Sequence, residues 1–317
     1  MHTDTTGSAL VTGGAGFIGS HLVEALLERG HRVRVLDDFS SGRRENLAAM
    51  LSDIELIEGD IRDSSLVAEA MAGVQYVFHE AAVPSVVRSV EDPLRSHTVA
   101  VDGTLAVLEA ARTSKPRRVV YASSSSAYGD TPTLPKVEPM PTQPLSPYAV
   151  AKLTAEYYCG VYTRVFGVPT VALRYFNVFG PRQDPSSPYT GVISIFIREA
   201  LAGRAPTIDG DGGQTRDFTY VADAVAANLL AAESETAVGE VLNVARGDEI
   251  SINGLFSLVC EAVGVEIEPR HGPPRTGDVR HSRADIDKAR RLLGYEPRTD
   301  LREGLRRTVT WMREELG

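Results

Sequence analysis

Short apolar runs alternate with amphipathic stretches through the first half of the chain. The apolar runs predict strands near 9–12, 32–36, 54–57, 76–79, 118–122 and 170–173. Between them, apolar positions recur at helical spacing near 18–29, 64–71, 104–112 and 148–166. Strands that alternate with helices predict an α/β fold, a doubly wound parallel sheet with helices on both faces.

The second half of the chain is less regular. Residues 239–244 predict one more buried strand, and shorter helical patterns follow near 251–263, 285–293 and 301–315. These later segments suit a smaller domain that closes over the carboxyl edge of the sheet, where ligands bind in folds of this kind.

Three glycines mark the connection between the first strand and the first helix. Gly13, Gly16 and Gly19 lie three residues apart in Thr12-Gly13-Gly14-Ala15-Gly16-Phe17-Ile18-Gly19. The first permits a tight turn, the second lets the backbone approach a pyrophosphate, and the third allows close helix packing. The helix N-terminus then offers free amides and a positive dipole end to the phosphates. Between a strand and a helix, this motif predicts a Rossmann dinucleotide site.

An acid at the end of the second strand selects the dinucleotide. Asp37 is expected to accept hydrogen bonds from the adenosine ribose, and its charge would repel a 2′-phosphate, so NAD is favoured over NADP. Arg43 and Arg44 follow closely, and we interpret them as solvated residues at a helix start. Asp60-Ile61 follows the third strand, where Asp60 could meet the adenine amino group or cap the next loop.

A tyrosine and a lysine one helical turn apart are the strongest candidates for chemistry. In Ser146-Pro147-Tyr148-Ala149-Val150-Ala151-Lys152, a good N-cap and a first-turn proline start a helix that carries Tyr148 and Lys152 on one face. An ammonium beside a phenol favours phenolate, so we expect Lys152 to lower the pKa of Tyr148 from about 10. Such a phenol can take a proton from a substrate hydroxyl and return it. Alone, however, the pair is more often an exposed helix face.

Bulk composition narrows the classes of function. The 317 residues carry a formal net charge of −9, which argues against nucleic acid as the main partner. No run approaches the roughly 20 apolar residues of a membrane span, and no signal-peptide pattern opens the chain. Two cysteines suit a reducing cytoplasm, and they and the seven histidines show no metal-binding spacing. We expect a cytoplasmic enzyme without a metal.

Together these motifs resemble the extended short-chain dehydrogenase/reductase family, specifically its nucleotide-sugar 4-epimerases and most closely the bacterial UDP-N-acetylglucosamine 4-epimerase branch. Nearly the whole chain takes part, through the glycine loop, the Tyr148/Lys152 pair and four further stretches: Ser123-Ser124-Ser125-Ser126-Ala127-Tyr128-Gly129, Arg174-Tyr175-Phe176-Asn177-Val178-Phe179-Gly180, Arg216-Asp217-Phe218 and Gly277-Asp278-Val279-Arg280-His281-Ser282. The resemblance implies an NAD-binding Rossmann domain over 1–176, with 216–246 returning to it. The nucleotide-sugar-binding domain would comprise 177–215 and 247–317.

The resemblance implies an isomerase that inverts C4 of a UDP-hexose through a transient 4-keto sugar, with bound NAD regenerated in each turnover. Tyr148 would act as base on the sugar 4-hydroxyl, and Lys152 would hold the nicotinamide ribose and keep Tyr148 acidic. Ser124 would hydrogen-bond the same hydroxyl and Ser125 would assist. Four consecutive serines leave the choice between neighbours open.

Binding residues are implied in the same way. The cofactor would contact Gly13, Gly16, Phe17, Ile18, Gly19, Asp37, Asp60, Ile61, Ala81, Tyr148, Lys152 and Tyr175. The substrate would contact Asn177, Val192, Arg216, Arg275, Asp278 and Ser282. Arg216 and Arg275 would hold the diphosphate and Asp278 the nucleoside ribose, although each arginine alone could be a surface charge.

Substrate size is predicted from Ser282. In the family a tyrosine at this position restricts the pocket to glucose and galactose, whereas a serine leaves room for an N-acetyl group. UDP-N-acetylglucosamine and UDP-N-acetylgalactosamine are therefore favoured, with UDP-glucose and UDP-galactose also accepted. Two departures concern the nicotinamide side, where Pro84 and Val99 replace a lysine and an asparagine that glucose-type epimerases often carry.

Two other functions compete with epimerisation. A nucleotide-sugar 4,6-dehydratase or decarboxylase would begin with the same oxidation at C4, but such enzymes carry a carboxylate where this chain has Ser125, Ser126 and Ala127. A non-catalytic NAD-binding regulator would be expected to lose the tyrosine, the lysine or the phosphate arginines, and all are present. The helices near 95–112 and 148–166 correspond to the family's dimer interface, so a homodimer is expected.

Overall fold

Strands and helices alternate along the part of the chain that the computed structural model describes, residues 7–185, 191–274 and 279–316. The strands are β1 (Ser8–Thr12), β2 (Arg32–Asp37), β3 (Ile54–Glu58), β4 (Tyr76–His79), β5 (Arg118–Ser124), β6 (Thr170–Tyr175), β7 (Val178–Phe179), β8 (Thr207–Asp209), β9 (Thr215–Arg216), β10 (Thr219–Tyr220), β11 (Val241–Val244), β12 (Ile250–Ser251) and β13 (Arg270–Gly272). The α-helices are α1 (Phe17–Glu28), α2 (Ser64–Met71), α3 (Val86–Glu91), α4 (Pro93–His97), α5 (Gly103–Ser114), α6 (Pro147–Phe166), α7 (Val192–Leu201), α8 (Val221–Glu233), α9 (Ile252–Val263), α10 (Asp287–Leu293) and α11 (Leu301–Leu316).

Seven of these strands form one parallel sheet in the order β11-β6-β5-β4-β1-β2-β3. Both faces are apolar because both are covered by helices. Leu22 of α1 and Leu229 of α8 belong to the core on one face, whereas Val67 of α2, Leu108 of α5 and Cys159 of α6 belong to the core on the other. The predicted doubly wound α/β fold is therefore confirmed.

The strand order reverses at β1, which lies between β2 and β4. Connections leave β1 and β4 towards opposite sides of the sheet, and this opens a crevice at the carboxyl ends of the two strands. The glycine-rich loop follows β1 directly, so the fold brings it to the edge of this crevice.

Two helices, α7 and α8, were not predicted from the sequence. Nine of the thirteen residues of α8 are buried between α1, the sheet and neighbouring segments, so its polar face is too small to produce an amphipathic pattern. β11 extends the sheet beside β6 and α8 packs against that part of the sheet, both within the 216–246 stretch that is predicted to return to the larger domain. The domain boundaries themselves stay predictions.

The later segments form a layer of their own. Helices α7, α9 and α11 pack against one another through Phe196, Phe256 and Met312, all almost fully buried. The short strand pairs β7–β10, β9–β12 and β8–β13 hold the intervening loops. Among the described residues, no helix combines the length and the apolar character needed to cross a membrane.

Candidate active site

The glycine-rich loop has the conformation that its sequence predicts. Gly13 has φ +71°, and a Cβ there would lie 2.7 Å from the backbone of Ala81. A Cβ on Gly19 would lie 2.1 Å from the carbonyl oxygen of Gly13, so only glycine allows this approach of helix to loop. The N-cap of α1 is Gly16, whose lack of a side chain leaves the first amides of the helix without a side-chain cap. They can therefore receive phosphate oxygens.

A cavity of about 440 Å³ opens beside this loop at the carboxyl ends of β1, β2, β3 and β4. Nine of the predicted cofactor residues line it: Gly13, Gly16, Phe17, Ile18, Gly19, Asp37, Asp60, Ile61 and Ala81. Pro84 and Val99, the two departures from the family pattern, line it as well. Tyr148, Lys152 and Tyr175 do not line the cavity, but Glu80, which does, accepts a hydrogen bond from Tyr175.

Asp37 is fixed before any ligand arrives. Its two oxygens accept hydrogen bonds from the amides of Ala15 and Phe39, at 2.9 and 2.8 Å. Burial raises the pKa of this carboxyl, and the two amide hydrogen bonds oppose the rise. The carboxylate keeps lone pairs for further donors, which suits the predicted ribose contact.

Arg43 and Arg44 lie at a helix start, as predicted, and Arg44 is 56% exposed, whereas Arg43 is 30% exposed. Arg43 pairs with Glu315 of α11 at 2.5 Å, and it lines the cavity. Arg44 pairs with Glu58, and its guanidinium carbon lies 4.0 Å from the centre of the Phe39 ring. Both partners are distant in sequence, which is why the local pattern did not indicate them.

Asp60, for which the sequence left two interpretations open, lies at the cofactor cavity beside Arg62. It lines the cavity, and its carboxylate also accepts hydrogen bonds from the amide and the side chain of Arg62, at 2.8 and 2.9 Å. The Arg62 hydrogen bond lowers the pKa of Asp60. It does not cap a helix, because Asp63 is the N-cap of α2.

The helix start at Tyr148 is as predicted. Ser146 is the N-cap of α6, and its hydroxyl accepts a hydrogen bond from the amide of Ala149 at 3.2 Å. Lys152 is 4% exposed, and its ammonium donates to the carbonyl oxygen of Ala122 at 2.7 Å. Tyr148 is half-buried and forms a hydrogen bond with Ser124.

The expectation that Lys152 lowers the pKa of Tyr148 is wrong in this structure. Burial raises the pKa of Tyr148, the Ser124 hydrogen bond opposes the rise, and the charge of Glu80 adds to it. The lysine directs its charge to Ala122 instead, and burial lowers the pKa of Lys152 to about 8. The pair therefore needs further positive charge nearby before Tyr148 can act as a base near neutral pH.

The serine run separates into different roles. Ser123 is 3% exposed and donates to Glu156 at 2.7 Å. Ser124 bonds Tyr148 and accepts from the hydroxyl of Ser126 at 2.9 Å. Ser125 opens the 3-10 turn Ser125–Tyr128 and is half-buried. Of the four, Ser124 is the one whose geometry suits a partner of Tyr148.

Glu80 is a site residue that the sequence analysis missed. It follows β4, lines the cavity and accepts a hydrogen bond from the hydroxyl of Tyr175 at 2.8 Å. Burial raises its pKa to about 7, while Tyr175 and Lys152 oppose the rise. Its only sequence signal was a carboxylate at the end of a buried strand. The adjacent His79 is a buried core residue, with its ring nitrogens 2.7 Å from the hydroxyl of Thr12 and 2.9 Å from that of Thr104.

Three of the predicted substrate residues, Asn177, Arg216 and Ser282, lie near residues 215–217. The carbonyl oxygen of Thr215 accepts from the side chain of Arg216 at 2.8 Å and from the amide of Ser282 at 3.2 Å. Asn177 is exposed and donates to the carbonyl of Asp217 at 2.8 Å. Val192 is the first residue of α7. Arg275 and Asp278 lie outside the described residues.

The chain is similar to known proteins over most of its length. Residues 9–245 match the model of the NAD dependent epimerase/dehydratase family. UDP-glucose 4-epimerase from Mycolicibacterium smegmatis is 44% identical over 310 residues, 96% of this chain and 98% of that protein. UDP-N-acetyl-alpha-D-glucosaminuronate decarboxylase from Bacillus cytotoxicus is 35% identical over 317 residues, 96% of this chain and 97% of that protein.

A solved structure is similar over almost its whole length. It is a UDP-N-acetylglucosamine 4-epimerase from Methanobrevibacter ruminantium in complex with UDP-N-acetylmuramic acid. The TM-score is 0.94 at 40% identity, and the match covers 98% of this chain and 99% of that chain.

Proposed function

Because the chain belongs to the NAD-dependent epimerase/dehydratase family, we propose that it inverts C4 of a UDP-hexose through a transient 4-keto sugar. The family resemblance that the motifs indicated is confirmed, and NAD is the cofactor of the family. One observation carries the proposal for this chain: Tyr148 forms a hydrogen bond with Ser124 at the carboxyl end of β5. The buried ammonium of Lys152 is bonded to the same strand, and Glu80, whose charge acts on Tyr148, lines the cofactor cavity.

The residues present fit NAD. The amides at the start of α1 would hold the pyrophosphate, Asp37 the adenosine ribose, and Asp60 and Ile61 the adenine side of the cavity. When bound, NAD supplies the acceptor and donor of the hydride at C4, and its oxidised ring is cationic. That charge meets the need for further positive charge beside Tyr148.

The protein's own residues handle the proton. Tyr148 takes the proton of the sugar 4-hydroxyl and later returns it. Ser124 hydrogen-bonds that hydroxyl and orders the proton path, while Ser125 assists from the turn that follows β5. Lys152 would hold the nicotinamide ribose through its ammonium.

Inversion requires a firm grip on the nucleotide and a loose grip on the hexose. Arg216 and Arg275 would hold the diphosphate, since a guanidinium matches phosphate oxygens, and Asp278 would hold the nucleoside ribose. Asn177 and Val192 would border the diphosphate and the nucleoside. Ser282, bonded to the same strand as Arg216, would leave space for a C2 N-acetyl group, so we propose UDP-N-acetylglucosamine and UDP-glucose as substrates.

A product analysis by NMR tests this proposal. The purified protein is incubated with UDP-N-acetylglucosamine, UDP-glucose and UDP-glucuronate in parallel, and the anomeric signals are followed. We expect the C4 epimers of the first two to accumulate with no change in total NADH absorbance. A 4-keto-6-deoxy sugar, or carbon dioxide from UDP-glucuronate, would instead establish the lyase chemistry of a dehydratase or a decarboxylase.

We also propose that the protein is a homodimer joined through α6. Val150, Tyr157, Val161 and Val165 recur at helical spacing along one face of α6 and are 37–66% exposed. Val90 and Leu94, on the adjoining α3 and α4, are 65% and 77% exposed. An apolar stripe of this length is typical of an interface.

The oligomeric state can be measured by sedimentation equilibrium. Val161→Asp should convert a dimer to a monomer, because a charge at the centre of the stripe opposes its burial. Leu51→Asp is the matched control, since Leu51 is a comparably exposed apolar residue outside the stripe. A wild-type monomer, or a dimer that Val161→Asp leaves intact, would contradict the proposal.

The two buried free cysteines suit the cytoplasmic location that we infer.

A further inference from the structure

A carboxylate lies between the cofactor cavity and the predicted catalytic pair. Glu80 follows β4 directly and lines the cavity next to Ala81, whose backbone contacts the glycine loop. Its side chain turns back towards the sheet edge, where Tyr175 donates to it at 2.8 Å. Tyr175 is itself fixed by Asn228 of α8, whose amide donates to the phenol oxygen at 2.6 Å. The carboxylate is therefore held in one place by three elements.

Lys152 needs such a charge. Its ammonium is almost fully buried, and its hydrogen-bond acceptor is a neutral carbonyl, that of Ala122. A buried ammonium without an anion tends to lose its proton, because the low-polarity interior disfavours the charged form. His79 of β4 pairs with Tyr121 of β5, so Glu80, the next residue, lies beside Ala122, whose carbonyl holds the Lys152 ammonium. The charge of Glu80 acts on Lys152 and opposes the effect of burial.

We propose that Glu80 is a positioning residue that keeps Lys152 charged and aligned, and so sets the protonation of the Tyr148–Lys152 pair. This rests on the proposed epimerase activity only for its kinetic consequence. The interaction between Glu80 and Lys152 exists in the protein whether or not a sugar is turned over.

Removing the negative charge of Glu80 should change the pKa values of the groups around it, in a direction that follows from electrostatics. The titratable groups that face Glu80 are Lys152 and Tyr148 on α6, Tyr121 on β5 and Tyr175 on β6. Without the carboxylate, positive charge is less stable and phenolate is more stable, so the pKa values of both Lys152 and Tyr148 fall. Both limbs of the pH–activity curve should then move to lower pH together. Loss of a merely structural contact would lower the curve without displacing it.

Glu80→Gln tests this with two independent measurements. The chain has four lysines, so lysine labelled with ¹³C at Cε gives a spectrum in which Lys152 can be assigned by comparison with Lys152→Arg. We expect the titration midpoint of Lys152 to fall by roughly one pH unit in Glu80→Gln. In the same variant, both limbs of the kcat/KM profile should move to lower pH by a similar amount.

Two further variants isolate the charge. Glu80→Asp keeps it and should keep the Lys152 midpoint near that of the wild type, whatever it costs in packing. Glu55→Gln removes a charge at a 60% exposed side chain outside the cavity and should leave the midpoint unchanged. An unchanged Lys152 titration in folded Glu80→Gln overturns the proposal. If the wild type turned over no sugar, only the kinetic measurement would be lost, and the titration would still decide the role of Glu80.

Discussion

Two charged clusters lie one turn apart on the same helix and use charge in opposite ways. Glu156 of α6 receives two hydrogen bonds from Arg174 of β6, at 2.6 and 2.9 Å, and a third from Ser123 at 2.7 Å. Both charged residues are 3% exposed. Lys152, four residues earlier, donates to a neutral carbonyl and meets its counter-charge, Glu80, only through space.

The Glu156–Arg174 pair stabilises the fold, whereas the Glu80–Lys152 pair can take part in proton exchange. Burial acts against the charge of Arg174, but its hydrogen bonds to Glu156 outweigh burial and raise its pKa, so the guanidinium stays charged. In the Lys152 cluster burial prevails: it raises the pKa of Glu80 to about 7 and lowers that of Lys152 to about 8. A fully satisfied cluster fixes α6 against β5 and β6, whereas an incompletely satisfied one can exchange protons near neutral pH.

The largest effect should come from Tyr148→Phe. Removing the phenol hydroxyl takes away the proposed base, so kcat should fall roughly 10²–10⁴-fold while the melting temperature and the bound NAD content change little. NADH absorbance and ¹H NMR of the products measure this. Tyr162→Phe, on the same helix but outside the cavity and the apolar stripe, removes a hydroxyl that donates to Glu109; it is the control and should retain activity. Near-normal turnover in Tyr148→Phe would place the base elsewhere.

A substitution in the Glu156–Arg174 cluster should change the stability of the protein rather than its activity. Glu156→Gln leaves the Arg174 guanidinium buried without its anion, which should cost about 3–5 kcal/mol of unfolding free energy. Urea denaturation measures it, and the kcat of the remaining folded protein should stay close to that of the wild type. Replacing both partners together, Glu156→Leu with Arg174→Met, should recover most of the loss. A large loss of kcat in Glu156→Gln at full stability would show that the two clusters do not have separate roles.

Sequence reasoning found the parts of the site that depend on local rules. The glycine spacing, the N-cap at Ser146 and the Tyr148/Lys152 spacing each follow from one segment, and each has the predicted local geometry. The roles of these residues in turnover remain predictions. Lys152 and Glu156 look alike in the sequence, since both are charged residues on one amphipathic helix.

Lys152 and Glu156 differ in their interaction partners, and these partners lie in distant parts of the chain. Glu80 reaches Lys152 from β4, and Arg43 meets Glu315 across almost the whole chain. The local pattern also gave the wrong direction for the pKa of Tyr148, because it counted the charge of Lys152 but could not include the burial of both groups. Long-range contacts and burial are properties of the fold, which no single segment records.

Adjacent serines give a finer test of the two clusters. Ser124→Ala removes the hydrogen bond to Tyr148, and kcat should fall about 10–100-fold, as expected for one bond to a group that becomes charged. Ser123→Ala removes a donor to Glu156 and should cost about 1–2 kcal/mol of stability with kcat retained. Stopped assays and urea denaturation of both variants measure the two effects. The reverse result would exchange the roles of the two serines.

The smallest effect concerns the dependence of stability on pH. Because the pKa of Glu80 is raised from 4.5 to about 7 on folding, the folded protein binds a proton that the unfolded chain has lost between these values. Stability from this group is fully present below pH 4.5 and is lost as the pH rises to about 7, with a slope of at most about 1.4 kcal/mol per pH unit. Glu80→Gln cannot titrate and should flatten that decline. Arg174 stays charged throughout the window, so Arg174→Lys should leave the slope unchanged even where it lowers stability. Urea denaturation at half-unit pH steps measures both slopes. An equally steep decline in Glu80→Gln would mean that Glu80 is already ionised in the folded protein and does not cause the decline.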